Sequence, residues 1–206
     1  QIDKLLSKTL KVAGAKMNGP INDAPFMRRA YLDVIGRIPS ASEARAFLNA
    51  KVSNKRSVLI NKLLDSPGYA SHQYNYWSDL LRVKSKLSNQ ASGEPYMEWL
   101  KDSFRENKAY DKMVREMLTA TGAANKRGNG ATGYLLRDTG MPLDNMANTV
   151  RIFMGTRLEC SQCHNHPFEK WTQKQFFEMA AYMGGIRYRS DYSTSAEGRQ
   201  LGKAGR

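Results

Sequence analysis

Cys160-Ser161-Gln162-Cys163-His164-Asn165-His166-Pro167-Phe168 lies between two runs of helical period and holds both cysteines of the 206-residue chain. Upstream, Met146, Val150, Phe153 and Met154 fall at i, i+4, i+7 and i+8 and run into Gly155. Downstream, Thr172-Gln173-Lys174-Gln175 has the form of a capping box and opens a helix carrying Phe176, Phe177, Ala180 and Met183, stopped by Gly184-Gly185. A thioredoxin-like dithiol would follow a strand in a βαβ unit, and no such alternation surrounds these residues. The stretch therefore reads as a connection between helices.

The same period continues towards the N-terminus. Ile2, Leu5, Leu6, Thr9 and Leu10 predict a first helix ending near Gly14. Asp23 reads as a cap, with Pro25 in a first turn where the missing N–H is tolerated. The buried stripe of that helix would be Phe26, Met27, Ala30, Tyr31, Val34 and Ile35, before Gly36. Ser40-Ala41-Ser42-Glu43 is a capping box for a helix with Ala44, Phe47 and Leu48. Ser53 opens the next, with Val58, Ile60, Leu63 and Leu64, and Asp65-Ser66-Pro67-Gly68 is a turn signal. Tyr74, Trp77, Leu80 and Leu81 share a face; Glu94-Pro95 begins a helix with Tyr96, Trp99, Leu100 and Phe104; Asp111 caps one with Met113, Val114, Met117 and Leu118.

Between Thr121 and Gly140 the composition shifts to Gly122, Gly128, Gly130, Gly133 and Gly140, which predicts a long mobile loop or flap ahead of the cysteines. From Ile186 onward the chain is polar and rich in Gly, Ser and Arg. No strand pattern of useful length and no internal repeat is present. The expected fold class is all-α: one helical domain of about nine helices over residues 1–185, with residues 186–206 as a polar tail or linker.

Hydrophobic residues are 41% and charged residues 25%, ordinary for a globular chain, so a core of normal size is available. No apolar run approaches the roughly 20 residues of a membrane span, and Gln1 to Leu10 lack the apolar core of a signal peptide, so the chain reads as a mature or excised piece. Thirty-two Lys and Arg against 19 Asp and Glu give a net charge of +13. These charges are spread along the chain (Arg28, Arg29, Lys55, Arg56, Lys84, Lys86, Lys126, Arg127) without a nucleic-acid-binding motif, so nucleic acid is not the expected partner. An acidic redox partner would be steered by them.

Cys160, Cys163 and His164 form C-x-x-C-H, the attachment pattern of a c-type haem. Two intervening residues let both thiols reach the two vinyl groups of one macrocycle, and the next histidine is carried under the iron as proximal ligand. Phe153, Phe168 and Trp171 would wall the cofactor. The same residues admit other readings. Cys160, Cys163 and His166 have zinc-ligand spacing, with His72 as a possible fourth ligand, which would make the domain a helical scaffold or interaction module. As a scaffold the domain could also leave the Cys/His cluster empty, and the blandest reading, a small disulfide loop or two buried thiols, leaves His164 and His166 unexplained. An open iron face would instead run peroxide chemistry, with His72 as acid/base. His166 is not expected to take the sixth iron position. It stands two residues from His164, a tether of at most about 7 Å, too short to pass round the macrocycle edge. It is expected to be a propionate partner, a donor behind the ligands, or part of the turn. For the sixth position the order expected is an open or weakly held site, then His72, then a methionine such as Met179 or Met183.

Several stretches together, Phe26 to Ser40 (FMRRAYLDVIGRIPS), Leu63-Leu64-Asp65-Ser66-Pro67 with Tyr69, Trp77 to Arg82 (WSDLLR), and Asp144-Asn145 through Phe153-Met154-Gly155 to Cys160-Ser161-Gln162-Cys163-His164-Asn165-His166-Pro167-Phe168-Glu169-Lys170-Trp171, resemble the planctomycete-type cytochrome domain of the second type. The resemblance runs from about Pro25 to Gly184. It implies a periplasmic or cell-surface haem c domain within a longer exported protein, beside other domains of the same chain. Many relatives carry His where this chain has Tyr76, so no imidazole is available at that position.

Overall fold

Amphipathic helices joined by short turns account for most of the structure, a computed structural model that describes residues 1–16, 18–87, 92–123, 128–188 and 193–195. Among the described residues there are ten α-helices and three very short strands, so the protein is all-α. Backbone contacts group the chain into two units, Gln1–Ser66 and Pro67–Arg206.

The first unit contains α1 (Ile2–Val12), α2 (Asp23–Ile35), α3 (Ala41–Asn49) and α4 (Lys55–Leu64). Asp23 is the first helical residue of α2 and Asn22 its cap; Met27, Ala30, Tyr31 and Ile35 are buried against α3 and α4. The helix stops at Gly36, whose φ of 71° is the left-handed conformation that glycine adopts without a Cβ clash. Ser40 then caps α3: the Glu43 N–H donates to Ser40 Oγ at 3.3 Å and the Ser40 N–H donates to the Glu43 carboxylate at 2.7 Å. Arg37 grips both Glu43 oxygens at 2.8 and 2.9 Å, and this guanidinium, with the Ser40 N–H, holds the carboxyl well below its usual range.

Along α4 the buried side chains are Leu59 and Leu63, while Val58, Ile60 and Leu64 are exposed. A ten-residue helix touching α2 on one side hides one i, i+4 ridge, and the surplus apolar residues flank it. Asp23 binds Lys55 at 2.7 Å and Arg56 at 2.8 Å, fastening the start of α2 to the start of α4. No residue of α1 is buried, and Ile2, Leu5 and Leu6 face solvent.

The second unit holds α5 (Pro67–Leu80), α6 (Glu94–Arg105), α7 (Tyr110–Thr119), α8 (Gly133–Leu136), α9 (Pro142–Met154) and α10 (Gln173–Gly184). The turn signal at Pro67 is itself the start of α5. One apolar cluster gathers Leu81, Tyr96, Leu100, Met113, Met117 and Tyr134; another gathers Met146, Val150, Leu158, Phe176 and Ala180 between α9 and α10. Strands β1 (Gly122–Ala123), β2 (Arg187–Tyr188) and β3 (Ser193–Ser195) form an antiparallel sheet in the order β1-β3-β2.

The glycine-rich segment corrects the expectation of a mobile loop. Residues 124–127 lie outside the described residues, but every residue from Gly130 to Asp138 is buried, in a 3-10 turn (Gly130–Thr132) that leads into α8. Gly130 and Gly133 serve approach. A Cβ on Gly130 would stand 2.0 Å from the Pro95 carbonyl oxygen, and one on Gly133 would stand 2.4 Å from the Tyr96 Cβ. The absence of two side chains lets this backbone lie directly on α6.

Behind α8 sits a polar centre. Arg82, in left-handed conformation (φ 54°) after α5, binds both Asp138 oxygens at 2.9 and 2.7 Å. Arg137 donates to Asp138 at 2.9 Å and to the Leu81 carbonyl, and Asn145 of α9 donates to Asp138 at 3.3 Å. One buried carboxylate thus joins the end of α5, α8 and α9. Nearby, Tyr134 donates to or accepts from Thr149 at 2.7 Å, and burial raises the phenols of Tyr96 and Tyr134 above their ordinary range.

Candidate functional site

Helix α9 ends at Gly155 in a left-handed turn (φ 68°), and Leu158, fully buried between α9 and α10, anchors the chain two residues before Cys160. A 3-10 turn, Glu159–Gln162, follows. Ser161 N–H donates to Leu158 O at 2.9 Å, and the N–H groups of Cys163 and His164 donate to Cys160 O at 3.3 and 3.4 Å. Ser161 points inward and is fully buried, with its hydroxyl unpartnered, whereas Cys160 and Cys163 are free thiols exposed to solvent. Side chains three apart on a 3-10 turn eclipse one another, so the two thiols are carried on one side of the turn.

His164 is also exposed, and its Nδ1 lies 2.6 Å from the carbonyl oxygen of Asn165. A carbonyl only accepts, so Nδ1 carries a proton, and in the neutral ring the lone pair is on Nε2. The Asn165 side chain accepts from the Gln173 N–H at 2.9 Å, and Gln173 Nε2 donates to Gln162 O at 3.1 Å. These bonds fasten the turn to the start of α10, where Thr172 and Gln175 form the capping box read from sequence.

His166 has a different position. Its backbone N–H donates to Trp171 O at 2.8 Å, and its ring Nδ1 accepts from the N–H groups of Phe168 and Glu169 at 3.2 and 3.0 Å. Nδ1 is therefore unprotonated and Nε2 carries the hydrogen. A metal at either nitrogen would break this arrangement. Among the described residues no group of three or more His, Cys, Asp or Glu side chains converges as a metal site.

The aromatic residues proposed as cofactor walls are dispersed. Phe153 is half-buried, with its ring 5.9 Å from Tyr134 and 6.4 Å from Tyr110. Trp171 packs on the cluster between α9 and α10, together with Met179 and Met183. Phe168 is 91% exposed, its ring 6.4 Å from that of His166. His72 is half-buried on α5, one turn before Tyr76. Where α5 faces the end of α9, Tyr76, Asp79, Leu80, Arg151, Gly155 and Arg157 line a cavity of about 670 Å³. Sequence reading singled out neither arginine, because two basic residues six apart, one on a helix and one beyond its end, make no pattern. Among the described residues no helix is long and apolar enough to cross a membrane.

The family model described as PSCyt2, protein of unknown function (DUF1549), matches residues 1–188. No curated protein and no solved structure matches the chain. The match takes in the first helix, the buried glycine segment, the Cys-His turn and α10, and the chain belongs to the PSCyt2 family of proteins of unknown function.

Proposed function

We propose that the protein is a c-type cytochrome domain that binds one covalent haem and passes electrons within a longer exported protein. The observation that carries this reading is the bare, solvent-facing Nε2 of His164 beside two free, exposed thiols on one side of the same turn. The donor set fits a c-type haem. Each thiol would add its S–H across a vinyl C=C to give a thioether, and the imidazole would bind iron through Nε2. The haem supplies a one-electron Fe(III)/Fe(II) couple whose potential follows its ligands and burial.

The protein's part is positional. The Asn165 carbonyl fixes the His164 ring and strengthens it as a ligand, and Gln173 holds the turn that carries all three attachment residues. The arrangement of His166 favours this reading over zinc, since that histidine is committed to backbone N–H groups. The net charge of +13 suits an acidic electron partner. A periplasmic or cell-surface location goes with this reading, because haem is attached to paired thiols outside the cytoplasm, where the same pair left bare would oxidise.

Protein made in a host with haem-attachment machinery is expected to show a Soret band and haem that survives a denaturing gel. Replacing Cys160 and Cys163 together by Ala should abolish covalent attachment, while His164→Ala should leave haem attached with an altered spin state. A colourless product, or one holding stoichiometric zinc, would sink the proposal.

A further inference from the structure

The cavity lined by Tyr76, Asp79, Leu80, Arg151, Gly155 and Arg157 measures about 670 Å³, inside the range of roughly 300–1,000 Å³ typical of small-molecule sites. Its lining is positive on balance, with two arginines against one carboxylate. Arg151 donates to Asn148 Oδ1 at 2.8 Å, and Arg157 has no hydrogen bond or ion pair among the described residues. Asp79 lines the same cavity, yet it forms no ion pair with either arginine. Two guanidinium groups and the Tyr76 phenol, 63% exposed, therefore present donors to one space. Guanidinium forks suit planar, bidentate carboxylates.

Position narrows the source of that carboxylate. Arg157 stands three residues before Cys160, a span of at most about 11 Å, and buried Leu158 lies between them as an anchor. Gly155 and Arg157 of the lining thus share one short, anchored stretch of backbone with the attachment turn. We infer that the cavity seats carboxylate groups and that these are the propionates of the haem held at Cys160 and Cys163, with Arg151 and Arg157 as their anchors and Tyr76 as a further donor. The inference rests on the cytochrome reading.

The test is the double substitution Arg151→Gln with Arg157→Gln, both at exposed side chains, with Arg45→Gln on α3 as a control. Thermal melts establish that the fold is kept, and a haem-stained denaturing gel establishes attachment. The reduction midpoint is then followed against pH. Propionates paired with arginine stay ionised to lower pH, so removing both partners should move the inflection of that profile up by about 1–3 pH units. Loss of positive charge also favours the oxidised iron, so the midpoint at neutral pH should fall, while the control leaves both unchanged. Stained haem with an unaltered profile in the double variant would overturn the propionate seat and leave the cytochrome reading intact. Saturable binding of a short oligoglutamate peptide that the double variant loses, with the haem profile unmoved, would give the cavity to the acidic groups of a partner and equally overturn it. Colourless protein from the haem-attaching host would remove both readings together.

Discussion

Gly130–Thr132 and Glu159–Gln162 are both single 3-10 turns in the same unit, and the chain puts them to opposite use. The first runs into α8, and all nine residues from Gly130 to Asp138 are buried. In the second region, from Glu159 to Phe168, Ser161 is the one buried residue. What separates them is side-chain chemistry. Small residues at positions 130, 131 and 133 let the first turn sink onto α6, whereas the second carries thiols, an imidazole and amides that gain little from burial. Holding is the work of one turn and presenting that of the other. A reactive group on the second turn is available because Leu158, Asn165 and Gln173 fix its ends rather than its face.

The comparison would be broken most sharply at Asp138. Its carboxylate is the shared acceptor of Arg82, Arg137 and Asn145, and the Arg137 side chain is 1% exposed. Asp138→Ala leaves a buried guanidinium without its counter-charge, a loss of about 3–5 kcal/mol. Urea denaturation should show it as a large drop in midpoint. A variant that unfolds at the parent's urea midpoint would mean that the Leu81 carbonyl and water already satisfy Arg137, and that Asp138 does not hold the buried segment in place.

A smaller effect is expected at Gly133. The Cβ of Gly133→Ala would meet the Tyr96 ring carbon Cγ at 2.6 Å, so α8 must back away from α6. Overpacking of this kind costs about 1–3 kcal/mol. The clash is steric, and amide exchange should accelerate across α8 and α6 more than at α10. Equal acceleration throughout would show that the segment is not a local wedge.

Capping chemistry was legible in sequence because it is local: Ser40 with Glu43 and Thr172 with Gln175 each close within four residues, and both boxes form as read. The stripe of α2 was legible too, since Met27, Ala30, Tyr31 and Ile35 repeat at helical spacing. Gly130 and Gly133 misled because glycine has two meanings in sequence. It frees a backbone, and it also lets a backbone approach another, and the second meaning depends on Pro95, Trp99 and Tyr96, more than 30 residues away. The polar centre was invisible for the same reason: the Arg82–Asp138 pair and the bond from Arg137 to the Leu81 carbonyl each cross 56 residues. At the Cys-His turn, spacing alone marked Cys160, Cys163 and His164. The tautomer of His164 and the commitment of His166 to backbone N–H groups came only with geometry.

The smallest effect on stability is expected at a ring that the sequence offers as a wall of the cofactor. Phe168 follows His-Pro and carries a large apolar ring, yet the ring is 91% exposed and meets only the edge of His166, at 6.4 Å between centroids. Its removal takes almost no apolar surface out of a packed environment. The Phe168 N–H that donates to His166 Nδ1 belongs to the backbone and survives any substitution except proline. Phe168→Ser should therefore change unfolding free energy by less than about 0.5 kcal/mol in urea titration, the range of ordinary surface changes. If the loss instead exceeded about 1.5 kcal/mol, the ring would have to be packed in the folded protein, and the Cys-His turn would be a holding element like the glycine segment, not a presenting one.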